Sequence, residues 1–387
     1  MRKLARPMLR LLGRDDRGAI GVIIAILVGG GVLLGSAALV IDVGQIYQNR
    51  SELQNGADAA ALAVARQCEL TVGPCGQATA LGTAGTYANK NASALTQDAA
   101  GIYVVCGSGG LNSCSSGIFG SGLTNCPPDP TNGANFVDVL TETTLKSGST
   151  LLPPVFARTI IGNSTYNGTT VKACAQAQWG GALQSDSLAL TLSLCQWQDL
   201  TGSGGSGFNT PVPVFIKGKD KPCAGPAGQN MPGGFDWLQQ TSSSACTAYI
   251  DLTTDTTVTN TGNNVSGSCK TALINDVNSA IAGKPVTVFV PVFGCNSSAP
   301  AWCPVTGTGS NAQYYVVGLA GFQILGYANI PGVNPDAGTN SLCTAVKGSG
   351  SNAPCIEGQF AEGLDPVSQQ VTPSPGPFGA NGIKLTG

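Results

Sequence analysis

Histidine does not occur anywhere in the 387 residues. Its absence removes Ser-His-Asp and Cys-His nucleophile arrangements, HExxH zinc sites and imidazole proton shuttles. Charge is scarce as well, at 10% of residues. Residues 69–387 carry 11 basic against 16 acidic side chains, a net charge of −5, so they form no electrostatic footprint for nucleic acid. The short cluster Lys217, Lys219 and Lys221 reads as a solvated turn. None of the 14 cysteines stands in a C-x2-C pair, which argues against zinc ribbons and against a dithiol redox motif. Neither a GxxxxGK[ST] loop nor a strand-linked GxGxxG fingerprint is present. Carboxylate pairs need no motif, because they have only to meet in space. The expectation is nonetheless a non-enzymatic protein with no cofactor, no metal site and no nucleic-acid partner.

What the chain does have is one long apolar run. Residues 19–41 hold no charge, and 13 of their side chains are Ile, Val or Leu. As a helix the run would span roughly 35 Å, against about 30 Å for a bilayer's hydrocarbon core. Arg2, Lys3, Arg6, Arg10, Arg14 and Arg17 precede it, opposed only by Asp15 and Asp16, and the next basic residue after it is Arg50. By the positive-inside rule the N-terminus lies in the cytoplasm and residues 42–387 outside. A cleaved signal peptide usually has an apolar core of about 7–15 residues, so the length favours a retained anchor. Cleavage, if it occurred, would fall near Ser36-Ala37-Ala38.

Helical character continues past the membrane. Residues 42–68 contain no proline, and Ile46, Leu53 and Ala60 recur every seven residues. The spacing predicts one nearly continuous helix over 19–68. Within it Gly31 and Gly35 make a GxxxG pair, the small-residue arrangement that lets a second membrane helix, or a second copy of this one, approach closely. Glycine is also simply common in membrane helices, so the pair has a bland reading too.

The blocks DRGAIGVIIAILV (16–28) and ALVIDVGQIYQNRSELQNGADAAALAVA (38–65) resemble the N-terminal signature of TadE/TadG-like Flp pilus-assembly proteins. The matching positions are Arg17-Gly18, Asp42 and Gly44 of the D-x-G turn, and the Leu53 to Ala63 helix that includes Asp58. Further segments, among them 154–162, 171–181, 286–294 and 314–327, resemble the larger actinobacterial members. The resemblance implies a bitopic bacterial envelope protein whose partners are the membrane, other pilus-assembly proteins or pilin subunits. Two family features are not met. If Gly18 were a prepilin cleavage site, the fifth mature position would be Ile23 rather than glutamate. Asp186-Ser-Leu-Ala-Leu and Asp251-Leu-Thr-Thr-Asp also do not fit the D-x-S-x-S metal motif of some relatives.

The overall expectation is an α+β chain. It comprises a basic segment (1–17), a transmembrane helix (18–41), a juxtamembrane helix (42–68) and two β-rich ectodomain halves (69–182 and 183–387). Val, Ile, Thr and aromatic runs between Gly, Pro and Asn clusters predict strands at 101–105, 136–144, 170–177, 188–194, 212–217, 285–293, 314–325 and 382–386. Helices are predicted at 151–161 and 270–282, and loops at 107–134 and 366–382. All cysteines lie beyond the apolar run, as expected for disulfides formed in an oxidising compartment. Loop closure is least costly for Cys68 with Cys75, Cys295 with Cys303, and Cys343 with Cys355. Cys106 could pair with Cys114, and Cys246 with either Cys223 or Cys269. The bridges read as structural braces. Asn-x-Ser/Thr triplets, among them those that begin at Asn91, Asn163, Asn167, Asn264 and Asn296, reflect composition in a bacterial chain.

Three functions follow in order. First is a pilus-assembly protein docking through Gly31 and Gly35. Second is a surface adhesin using loops and aromatics such as Trp237 or Trp302. Third is an exported carboxylate hydrolase.

Overall fold

A computed structural model describes residues 16–70, 74–91, 99–114, 126–145, 149–151, 154, 167–202, 207–215, 223–224, 230–231, 235–252, 256–258, 265–296, 299, 301, 303, 305–306, 313–345, 354–366, 368 and 370–386. The predicted helix at 151–161 lies outside the described residues apart from two positions, and Trp302 and the three-lysine cluster lie outside them entirely.

Helix α1 (Asp16–Glu69) runs without a break for 54 residues, about 80 Å of axis. It contains no proline, so nothing removes an internal hydrogen bond along that length. The Cys68–Cys75 disulfide, with Cα atoms 4.9 Å apart, then turns the chain back into α2 (Gln77–Asn91). The two helices form a hairpin. Thr83 bonds Gln67 near its closed end, and Gly56 faces Ala88 near the open end. A Cβ on Gly56 would lie 3.0 Å from the Ala88 carbonyl oxygen, so glycine sets how closely the helices approach.

The hairpin lies on a five-stranded sheet. Its first three strands are β1 (Ala99–Gly107), β2 (Asn135–Thr144) and β3 (Lys172–Gly181), all antiparallel neighbours. Side chains alternate across a strand. Val137, Val139 and Thr141 of β2 therefore share one face with Ala173, Ala175, Ala177 and Trp179 of β3. These residues pack with Leu53, Ala57, Ala60, Ala61, Val64 and Ala65 of α1 and with Ala80, Ala84 and Ala88 of α2. The alanines on both sides let the helices sit close to the sheet.

A second core follows. It begins with β4 (Gln184–Leu188) and β5 (Leu190–Ser193), and then α3 (Leu194–Thr201). The predicted strand at 188–194 stops at Ser193 because its hydroxyl accepts the Gln196 amide and caps α3, which ends at Gly202 with φ 59°. The next strands are β6 (Pro211–Phe215), β7 (Cys223–Ala224), β8 (Asn230–Met231), β9 (Phe235–Trp237), β10 (Thr247–Asp251) and β11 (Thr256–Val258). Helix α4 (Gly267–Ile281) is capped by Ser266 and buries Cys269, Leu273 and Val277, spaced four residues apart.

After α4 come β12 (Thr287–Phe293), β13 (Val305–Thr306) and the long β14 (Gln313–Ala328), then β15 (Ala337–Gly338), α5 (Ser341–Ala345) and β16 (Cys355–Phe360). The 16-residue β14 organises a sheet of order β6-β16-β14-β12-β5-β9. Its core includes Trp197 edge-on to Phe378, with ring centroids 4.6 Å apart, and Phe322 against Phe360 at 5.0 Å.

The last two strands, β17 (Gly363–Asp365) and β18 (Ala380–Leu385), return to the first sheet. Its full order is β1-β2-β3-β18-β17, with β18 antiparallel to β3 and parallel to β17. Segments from before residue 182 and from after residue 360 thus complete one sheet. The Gly379–Ala320 bridge and the Gly321 N–H bond to the Phe378 carbonyl fasten the same returning chain to β14.

Candidate functional site: the anchor helix and its socket

Helix α1 has two halves with opposite surroundings. In the first, Val22, Ile23, Ile24, Ile26, Leu27, Val28, Leu33 and Val40 are all exposed, Leu33 at 73%. No water-soluble fold leaves such a row uncovered without a partner or a lipid phase. This half is long and apolar enough to cross a membrane. A Cβ built on Gly31, Gly35 or Gly44 would meet nothing within 4 Å, so those faces are open along the helix.

The second half is seated in the head. Leu53 is buried at 4% exposure, and its carbonyl accepts the Thr141 hydroxyl at 3.1 Å. Gln54 Nε2 donates to the Cys174 carbonyl at 2.9 Å and to Asp58 Oδ1 at 2.8 Å, so Asp58 orients the amide that reaches the sheet. Asp42 is buried, although its neighbours Ile41 and Val43 are exposed. Of the juxtamembrane residues singled out from sequence, Leu53 and Asp58 therefore meet at the socket, whereas Gly44 faces open space. Sequence reasoning passed over Gln54, Gly56 and Thr141. Gln54 sits inside the same L-Q-N run and was the one with a local signal.

Disulfides brace the head on both sides of this seat. Besides Cys68–Cys75, the structure joins Cys295 to Cys303 and Cys343 to Cys355, each pair with Cα atoms 5.7 Å apart. Cys106 bonds Cys114, Cys246 bonds Cys269, and Cys126 bonds Cys174 across 48 residues. Cys195 is disulfide-bonded too.

Three carboxyls have unusual surroundings. Glu69, the last residue of α1, is buried with both oxygens lacking a hydrogen-bond partner. Burial raises its pKa to about 7, and the charge of Glu362 adds to that. Asp138 on β2 is pushed up to about 6, chiefly by burial; a Gln176 hydrogen bond opposes the rise and Asp129 adds to it. Asp276 on α4 is raised to about 6 by burial. No two of these form an acid–base pair around an open cleft. Cys106, Cys114 and Asp138 bring ligand atoms within 4.8 Å of one another, but the two sulfurs are bonded together and so are not thiolate ligands.

A hollow of about 230 Å³ lies beside Trp237, Gln240, Ser266 and Cys269. It falls below the usual ligand-pocket size of roughly 300–1,000 Å³. Trp237, named from sequence as an exposed contact residue, is 4% exposed and belongs to the second core. Its indole supplies packing area there, the commoner fate of such a residue, so it is not the exposed contact that the adhesin reading would need.

These features define a long helix with an exposed apolar half and a second half packed into a disulfide-braced α+β head. Residues 19–67, nearly all of α1, match the Tad family model, described as putative Flp pilus-assembly TadE/G-like. The match ends within α1. No curated protein and no solved structure matches the chain.

Proposed function

We propose that the protein is a single-pass envelope component that assists assembly of Flp-type pili without catalysing a reaction. The observation that carries this reading is the two-part environment of α1. Its exposed apolar half suits a bilayer, and its signature half is pinned to the head by Leu53, Gln54 and Asp58. One unbroken helix would then transmit position between membrane and head. The basic N-terminal flank supports a cytoplasmic N-terminus and an extracytoplasmic head. Other pilus components, or a second copy of the chain, would pack against the open Gly31 and Gly35 face.

Deleting the gene in the native organism and counting surface pili by electron microscopy tests the role. Loss of pili, restored by the intact gene, is the expected result. Normal pili with lost attachment would favour the adhesin reading instead. At the helix itself, Gly35→Leu should reduce co-purification with membrane partners several-fold while leaving the head folded. Unchanged association would remove Gly31 and Gly35 from the docking role.

A further inference from the structure

The sheet face opposite the helices carries Cys106 of β1, Asp138 of β2 and Gln176 of β3 side by side, because Cys106 pairs in register with Asp138 and Asp138 with Gln176. Cys114, on the loop that follows β1, closes over this row and bonds Cys106. Its Sγ lies 3.5 Å from Asp138 Oδ2. A disulfide sulfur has no proton to donate, so that contact satisfies nothing in the oxidised pair. Asp138 Oδ1 has no hydrogen-bond partner, and the residue is 1% exposed. Among the described residues, the charged group that acts on Asp138 is Asp129 from the 126–134 loop, the two sulfurs lie within 4.8 Å of its carboxylate, and Gln176 bonds it from β3.

We infer that Cys106–Cys114 is an exchange-competent disulfide that reacts with an external dithiol, with Asp138 as its proton donor. Cys114 is half-buried, whereas Cys106 is buried with its sulfur within 4.8 Å of an Asp138 oxygen. An external thiolate attacks Cys114 Sγ, and a new S–S bond forms there as the Cys106–Cys114 bond breaks. The electron pair leaves on Cys106 Sγ, and the Asp138 carboxyl gives it a proton. The dithiol's second sulfur then displaces Cys114. The external pair ends oxidised and the protein pair reduced; the proton shed by the first dithiol sulfur returns through solvent to Asp138, replacing the one given to Cys106, and the second dithiol sulfur's proton ends on Cys114. The new Cys114 thiol now has a hydrogen to donate to Asp138 Oδ2, a bond that the disulfide sulfur cannot make. Burial keeps this carboxyl protonated up to about pH 6, where an ordinary aspartate would already be ionised.

The molecule contains its own control. Cys295–Cys303 has the same sequence separation of 8, and it too joins one half-buried and one buried cysteine. There the Cys303 sulfur faces the Gly294 carbonyl at 2.9 Å rather than a carboxyl. The test reduces the detergent-solubilised full chain with dithiothreitol, traps thiols by alkylation over time and identifies them by mass spectrometry. At pH 5.5, per unit of dithiothreitol thiolate, Cys106 and Cys114 should be labelled at least ~10-fold faster than Cys295 and Cys303, a modest general-acid advantage. The ratio should fall as pH rises through about 6, and Asp138→Asn should bring it near one at every pH. Equal rates for the two disulfides in the unmodified chain, or a ratio without pH dependence, would overturn the inference even if the variant failed to fold.

Discussion

Replacing Val64 by aspartate should unseat the head from the anchor helix without releasing the helix from the membrane. Val64 is fully buried among Ala60, Ala61 and the sheet valines Val137 and Val139. A carboxylate there would meet no partner, and burying an unpaired charge costs several kcal/mol even after relaxation. Folded domains have only about 5–15 kcal/mol in total. The first sheet should therefore open, while the exposed run from Val22 to Val40, more than one helical turn away, keeps its character. Limited proteolysis of membrane fractions reads both halves at once. The expected pattern is a rapidly cut head with an anchor that still sediments with membranes. A head as resistant as the unmodified one would mean that α1 is not structurally required by the sheet.

Much of this arrangement was legible in residues. The long helix could be read because nothing in 16–69 breaks it, and β2, β12 and β14 because β-branched and aromatic runs stand between turn-forming clusters. Helix α2 was missed. Its sequence QATALGTAGTYANKN contains two glycines and three threonines, poor helix formers, and it is held by packing of Ala80, Ala84 and Ala88 on α1. Strand β16 was missed for a related reason: CIEGQF has one glycine and two polar residues, and its place between β6 and β14 comes from tertiary pairing.

Long-range closure was the least visible part. The terminal strand could be predicted from GIKLT, but its partner could not, since β18 finds β3 some two hundred residues earlier. Cys126 and Cys174 meet for the same reason: Cys174 lies on β3, and the loop that carries Cys126 reaches it only once β2 and β3 pair. At the seat, Leu53 and Asp58 stood out through a family signature. The physical job falls equally on Gln54 and Thr141, whose partners are backbone carbonyls that no side-chain pattern announces.

Stability should fall as pH rises from about 4.5 to about 7, the reverse of ordinary acid denaturation, and Glu69 should make the largest single contribution. Its carboxyl titrates near the usual 4.5 when unfolded and near 7 in the head. Between those values the folded state holds a proton that the unfolded state has lost. Stability contributed by the neutral form is therefore complete below the lower value and gone above the higher one. At about 1.4 kcal/mol per pH unit, the window is worth on the order of 3 kcal/mol. Asp138 and Asp276, raised from 3.8 to about 6, add a slope of the same sign ending about one unit lower. Glu69 also sits at the carbonyl end of α1, where the helix dipole further disfavours a negative charge. The urea midpoint of the detergent-solubilised chain should accordingly be higher at pH 5 than at pH 8. Glu69→Gln should match the unmodified chain near pH 4.5 and exceed it at pH 8 by an amount of that order, leaving only the aspartate slope below pH 6. Equal midpoints of variant and unmodified chain at pH 8 would show that the Glu69 carboxylate is hydrated in the folded head and that α1 ends in water.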